Sequence, residues 1–142
     1  MGGHAGIALA FDASGPFTWR KKREDRTQME ASWSMEFSSS KYDYERREVE
    51  VAMRDEVSIP VMVYRSIASA GKQSPLLFRT HGGGWYQGFT TEEIFLICAI
   101  TNSFQFVIVS SEFLLVPEHP FPTGFEDCWD TLLWGLRNEE PL

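Results

Sequence analysis

The chain has 142 residues, with 13 Lys and Arg against 20 Asp and Glu, a formal net charge of -7. That balance lacks the basic footprint of a nucleic-acid or anionic-membrane partner, so neither is expected. With 43% hydrophobic, 14% aromatic and 23% charged residues, it can bury about two-thirds of its extended surface in one core, which argues against disorder, tandem domains and repeats.

The opening residues match neither a secretory signal nor a myristoylation site. The apolar run from Gly6 to Phe11 is short with no Lys or Arg before it, and Gly6 stands where Ser or Thr is needed. No stretch approaches the roughly 18 apolar residues of a membrane-spanning helix. Cys98 and Cys128 lie far apart, which excludes a disulfide framework and a cysteine zinc site and fits a reduced, cytoplasmic setting. No metal or organic cofactor is implied.

Residues 1–44 are expected to be a cap-like or poorly ordered segment. Its charge cluster, Arg20-Lys21-Lys22-Arg23-Glu24-Asp25-Arg26, reads as a solvated face, because the acids dilute the basic run. Met29, Trp33 and Phe37 fall four apart, one face of a short helix.

The main domain, 45–142, begins with period-two alternation. Val49, Val51 and Met53 interleave with Glu48, Glu50 and Ala52, the pattern of a half-buried strand. After the polar turn Arg54-Asp55-Glu56, Ile59, Val61, Val63 and Tyr64 form a second strand, which Pro60 places near an edge or bulge. The two read as a hairpin. Pro75 to Thr80 is a short apolar strand running into His81-Gly82-Gly83-Gly84-Trp85. Thr90 and Glu93 have capping-box spacing, and Ile94, Ile97, Cys98 and Thr101 mark the buried stripe of the helix that follows. Phe106 to Val109 is a strand covered on both faces. A second capping box, Thr123 with Glu126, opens a helix in which Phe125, Cys128, Trp129, Leu132, Leu133 and Leu136 recur at helical spacing. The order hairpin, strand, helix, strand, helix predicts an α/β fold with a partly parallel sheet, the last two strands and their helix forming a βαβ unit.

Three consecutive glycines between a buried strand and a helix are the most informative feature. Glycine permits positive φ and close approach to the backbone, and successive N–H groups in such a turn can converge on an anion or a developing oxyanion. A plain tight turn is the alternative. A phosphate loop is disfavoured, since neither a Gly-Lys-Ser/Thr ending nor GxGxxG is present.

His81-Gly82-Gly83-Gly84-Trp85, with Gly88 three positions later, resembles the HGGG loop of hormone-sensitive-lipase-like α/β-hydrolases. Pro117-Glu118-His119-Pro120-Phe121-Pro122, followed by Glu126-Asp127-Cys128 and Trp134, is similar to the loop after that family's fourth strand and the next helix. The resemblance spans about Asp43 to Leu136 and implies an incomplete α/β-hydrolase fold, the hairpin plus the two βαβ strands with flanking helices, and residues 1–44 as a cap-like segment. It implies esterase or lipase activity on a small ester, with the backbone N–H groups of Gly83 and Gly84 as oxyanion donors. In that scheme His81 orients the loop and Trp85 lines the acyl or alcohol pocket. His119, between two prolines, is expected to be structural rather than a catalytic base.

The nucleophile elbow of that fold is G-x-S-x-G, and this chain has none. The nearest candidate, Ser14 before Gly15, lies upstream of every matching motif with Asp12 in the first glycine's place. Ser110, Ser111 and Cys98 have no identifiable base. Serine, acid and histidine are therefore expected beyond Leu142, and the chain alone is expected to be catalytically incomplete. The strand before the loop should then be an unpaired edge prone to self-association. A non-catalytic fragment that binds another chain through that strand is the alternative reading. Where the family has apolar residues before HGGG and Asp-Tyr-Arg after the fourth strand, this chain has Arg79-Thr80 and Glu112-Phe113-Leu114. Arg79 and Glu112 are expected to pair, because a buried arginine needs a partner.

Overall fold

The computed structural model describes residues 21, 23–25, 28–29 and 43–137. Strands β1 (Tyr44–Ala52), β2 (Ser58–Ser66) and β3 (Leu76–Thr80) lead to helix α1 (Ile94–Phe104), strand β4 (Val107–Ser111) and helix α2 (Thr123–Arg137). The sheet order is β1-β2-β4-β3. β1 and β2 are the expected antiparallel hairpin, with Tyr44 opposite Ser66. β2 pairs antiparallel with β4, and β3 pairs parallel with β4. The four strands and two helices give the partial α/β architecture expected from the element order.

Side-chain alternation sorts the core onto two faces. Val51, Met53, Ile59, Val61, Val63 and Val109 bury one face, with Trp134 of α2 packed against it. Met62, Tyr64 and Ile108 bury the other beneath Ile94, Ile97 and Cys98 of α1. Burial of Ile94, Ile97, Cys98 and Thr101 follows the expected stripe of α1. The β1–β2 turn is tied to α2 by Arg54, whose guanidinium and backbone N–H both donate to Asp130.

Four expectations need correction. Pro60 does not mark an edge: β2 lies inside the sheet, and Pro60 sits just outside the β4 ladder, where its missing N–H costs nothing and its carbonyl accepts from Glu112 N–H at 3.2 Å. Neither capping box forms. α1 starts at Ile94 after Glu93 in a left-handed conformation (φ 58°), without a side-chain cap. Thr123 Oγ1 donates to Pro120 O, while Glu126 faces Arg54. Nor is the expected apolar stripe of α2 its most buried face: Cys128, Leu132 and Leu133 are only half-buried. The buried residues are Gly124, Asp127, Thr131 and Gly135, and Phe125, Trp129 and Leu136 are exposed. Lys21, Arg23, Glu24, Asp25, Gln28 and Met29 are helical; Trp33 and Phe37, the rest of the expected apolar face, lie outside the described residues, as does Ser14.

Candidate functional site

β3 delivers His81 to the end of the sheet, where the backbone reverses. Gly83 (φ 118°), Gly84 (φ 62°) and Trp85 (φ 68°) take positive φ in succession, and Tyr86 N–H closes onto Gly83 O at 3.4 Å. Only glycine adopts such angles without strain. Among the described residues, neither Gly83 N–H nor Gly84 N–H donates to a backbone carbonyl. The turn thus leaves two adjacent donors uncommitted, as a site for developing negative charge requires.

The side chains around the turn brace it. The His81 side chain is fully buried and stacked on Phe113, with ring centroids 4.1 Å apart. Its Nδ1 lies 2.8 Å from Gly82 O and its Nε2 lies 3.2 Å from Glu112 Oε2. The other Glu112 oxygen accepts Thr90 N–H at 2.6 Å, so this carboxylate holds the end of the loop and sits beside the buried Nε2 of His81, which makes no hydrogen bond among the described residues. A Cβ on Gly88 would overlap His81 Nδ1 and Gly82 O, which explains the glycine there. Trp85 packs on Phe113 at 5.0 Å yet stays 47% exposed, and its carbonyl accepts Val116 N–H at 2.9 Å. His81, Gly83, Gly84 and Trp85 are therefore brought together in one turn.

The expected Arg79–Glu112 pair does not form. Arg79 instead donates to Thr90 O, Ser110 Oγ and Glu92 O, and lies 3.5 Å from Glu93 Oε2. Arg79 is thereby satisfied by the turn before α1, and Glu112 is left for His81 and Thr90. Ser110 and Ser111 are buried and spend their hydroxyls on Thr90 O and Glu112 O. Burial also pushes the Cys98 thiol up, away from thiolate chemistry. His119 is exposed and bonds through its backbone to Leu115 O. Among the described residues no group of three His, Cys, Asp or Glu could hold a metal ion, and no helix is long and apolar enough to cross a membrane.

Two residues at the site escaped the sequence reading. Glu112 meets His81 and Thr90 rather than the expected Arg79, and its position just past the fourth strand is the available signal. Arg23 belongs to the charge cluster expected to be a solvated face, yet it reaches Tyr86 O and Val116 O. Nothing local in its sequence marks a contact so far along the chain.

Residues 77–141 match the family model described as alpha/beta hydrolase fold. An arylesterase from Saccharolobus solfataricus is 28% identical over 98 residues, 69% of this chain and 31% of that protein. A carboxylesterase of Mycobacterium tuberculosis is 36% identical over 84 residues, 59% of this chain and 26% of its own length. Among solved structures, an esterase from Pyrobaculum calidifontis superposes with a TM-score of 0.72 at 24% identity, over 84% of this chain and 38% of that one. The chain thus spans about a third or less of the curated relatives it matches. It has the α/β-hydrolase fold over a partial chain. Its resemblance to the hormone-sensitive-lipase-like esterases is borne out on a partial chain.

Proposed function

We propose that this chain supplies the oxyanion-binding portion of a serine carboxylic-ester hydrolase acting on small esters. Gly83 and Gly84 donate their N–H groups to the tetrahedral intermediate, His81 holds the turn, and Trp85 lines the substrate pocket. The single observation carrying this reading is the pair of adjacent, uncommitted amides in a turn of successive positive φ angles. The related arylesterase and carboxylesterase support an ester as substrate. A cytoplasmic setting belongs to the same reading.

An oxyanion donor contributes about 2.7–4 kcal/mol to the transition state, but it cannot form an acyl-enzyme without a nucleophile and base. The chain alone should therefore not turn over esters. Fluorophosphonate labelling and a p-nitrophenyl ester assay test this point: no specific adduct and no turnover are expected, and stoichiometric labelling would overturn it. The turn is tested separately by grafting residues 81–88 into the corresponding loop of the Pyrobaculum calidifontis esterase. A folded graft should keep kcat within about tenfold, whereas a drop of about 10²–10³, the signature of a lost donor, would reject the role.

A second reading rests on β3 pairing on one side only among the described residues. In it the chain is a non-catalytic fragment that recruits another polypeptide along this edge. Retained activity in the graft favours the hydrolase reading over this one.

A further inference from the structure

Two loops meet at the glycine turn, residues 82–88 after β3 and residues 112–122 after β4. Where they meet, a single guanidinium from the N-terminal helical residues is inserted. Arg23 Nε and Nη2 both donate to Tyr86 O, at 3.0 and 2.9 Å. Nη2 also donates to Val116 O at 2.9 Å. Nη1 and Nη2 reach the two Glu118 oxygens at 3.1 and 3.3 Å. The residues so joined flank the backbone bond from Val116 N–H to Trp85 O.

We propose that Arg23 is a positioning residue for the oxyanion turn, holding Tyr86 and Val116 so that the preceding Gly83–Trp85 backbone keeps its geometry. The name of that turn rests on the hydrolase reading above; the clamp itself does not. The planar five-donor fork of arginine can serve two carbonyls and a carboxylate at once, which the single ammonium of lysine cannot. The Arg23–Glu118 pair is half exposed, with side-chain exposures of 29% and 45%, so solvent screens it. The carbonyl bonds, not the ion pair, carry the clamp. Arg23 therefore couples a segment far upstream to the site.

The test uses the 142-residue chain labelled with ¹⁵N, without substrate. Amide exchange at Val116 reports the junction of the loops, the Gly83 and Gly84 amide shifts report the turn, and the β2 amides serve as a control. Arg23→Ala should speed Val116 exchange by about tenfold or more, the scale of a lost charge-assisted bond. It should also move both glycine signals and leave β2 exchange within about twofold. Arg23→Lys should behave like Arg23→Ala, and Glu118→Gln should stay near wild type. Unchanged Val116 and glycine signals in Arg23→Ala would overturn the clamp, and so would faster exchange spread evenly through β2. Wild-type behaviour of Arg23→Lys, or an Arg23→Ala phenotype in Glu118→Gln, would overturn it as well. Failure of the loop graft with this pattern intact rejects the oxyanion role alone.

Discussion

Gly82, Gly83 and Gly88 share a residue type but not a physical role. A Cβ at Gly82 would meet open space, whereas one at Gly83 would overlap Gln87 O and one at Gly88 would overlap the His81 ring. Gly83 and Gly88 also sit at φ 118°, where an L side chain is strained. Gly82→Ala should therefore change stability by less than about 0.5 kcal/mol, while Gly83→Ala and Gly88→Ala should each cost about 2–4 kcal/mol. Urea unfolding of the three variants decides this; equal costs would mean that the loop adjusts freely. Asp127 poses a different residue-scale question. It is 2% exposed, accepts Leu114 N–H at 2.9 Å, and has its carboxyl pushed above the usual range by burial. A raised folded-state value means the native chain binds the proton more tightly than the unfolded one. Stability then falls as pH rises from about 3.9 through the raised value, and levels off above it. Asp127→Asn keeps an oxygen for Leu114 without the buried charge. It should be more stable than wild type at pH 7, and that advantage should shrink toward pH 4. An advantage that grows in acid would contradict the assigned direction.

At the scale of elements, α2 shows why the two helices were unequally legible. In α1 the positions spaced at Ile94, Ile97, Cys98 and Thr101 face the sheet as periodicity indicates, although Phe95, Leu96 and Phe104 lie exposed on the other side. In α2 the close approach to the sheet is made by Gly124, Asp127, Thr131 and Gly135. Thr131 meets Ser111 through a buried hydroxyl pair at 2.9 Å. A search for hydrophobic spacing passes over such a small and polar face and picks the exposed side, Phe125, Trp129 and Leu136. The capping boxes failed for a related reason. Thr90 and Glu126 have tertiary partners, Glu112 and Arg54, that local sequence does not reveal. The face of α2 yields a prediction of opposite signs. A Cβ on Gly124 would lie 2.6 Å from Leu114 O, but one on Gly135 would rest at 3.6 Å from Leu76 and 3.8 Å from Val109. Gly135→Ala should stabilise by about 0.5–1 kcal/mol through helix propensity and a less flexible unfolded chain. Gly124→Ala should destabilise by about 1–3 kcal/mol through overpacking. Thermal melts of the two variants would refute this account of the face if both shifted the same way.

For the molecule as a whole, the strands and the glycine turn were readable because each leaves a local mark, β-branched runs in one case and three glycines in the other, whereas the β2–β4 pairing leaves none. The brace around the turn was not, since Arg23, Glu112 and Thr90 converge only after folding. Among the described residues the sheet has two dissimilar edges. β1 presents Glu45, Arg46, Arg47 and Glu48, charges that discourage pairing with another chain. β3 presents Leu76, Leu77 and Phe78, and its arginine is turned onto Thr90 O, Glu92 O and Ser110. A second copy should therefore add along β3 rather than β1. The net charge of -7 opposes that contact, so screening by salt should strengthen it. Sedimentation velocity should show a weight-average mass that rises with protein concentration, and rises further when salt is increased from about 0.05 to about 0.5 M. Under the same conditions β3 amides should gain exchange protection with concentration while the outer amides of β1 do not. A monomer at every concentration and salt, or protection gained at β1 instead, would show that the apolar edge is already closed by the chain's own structure.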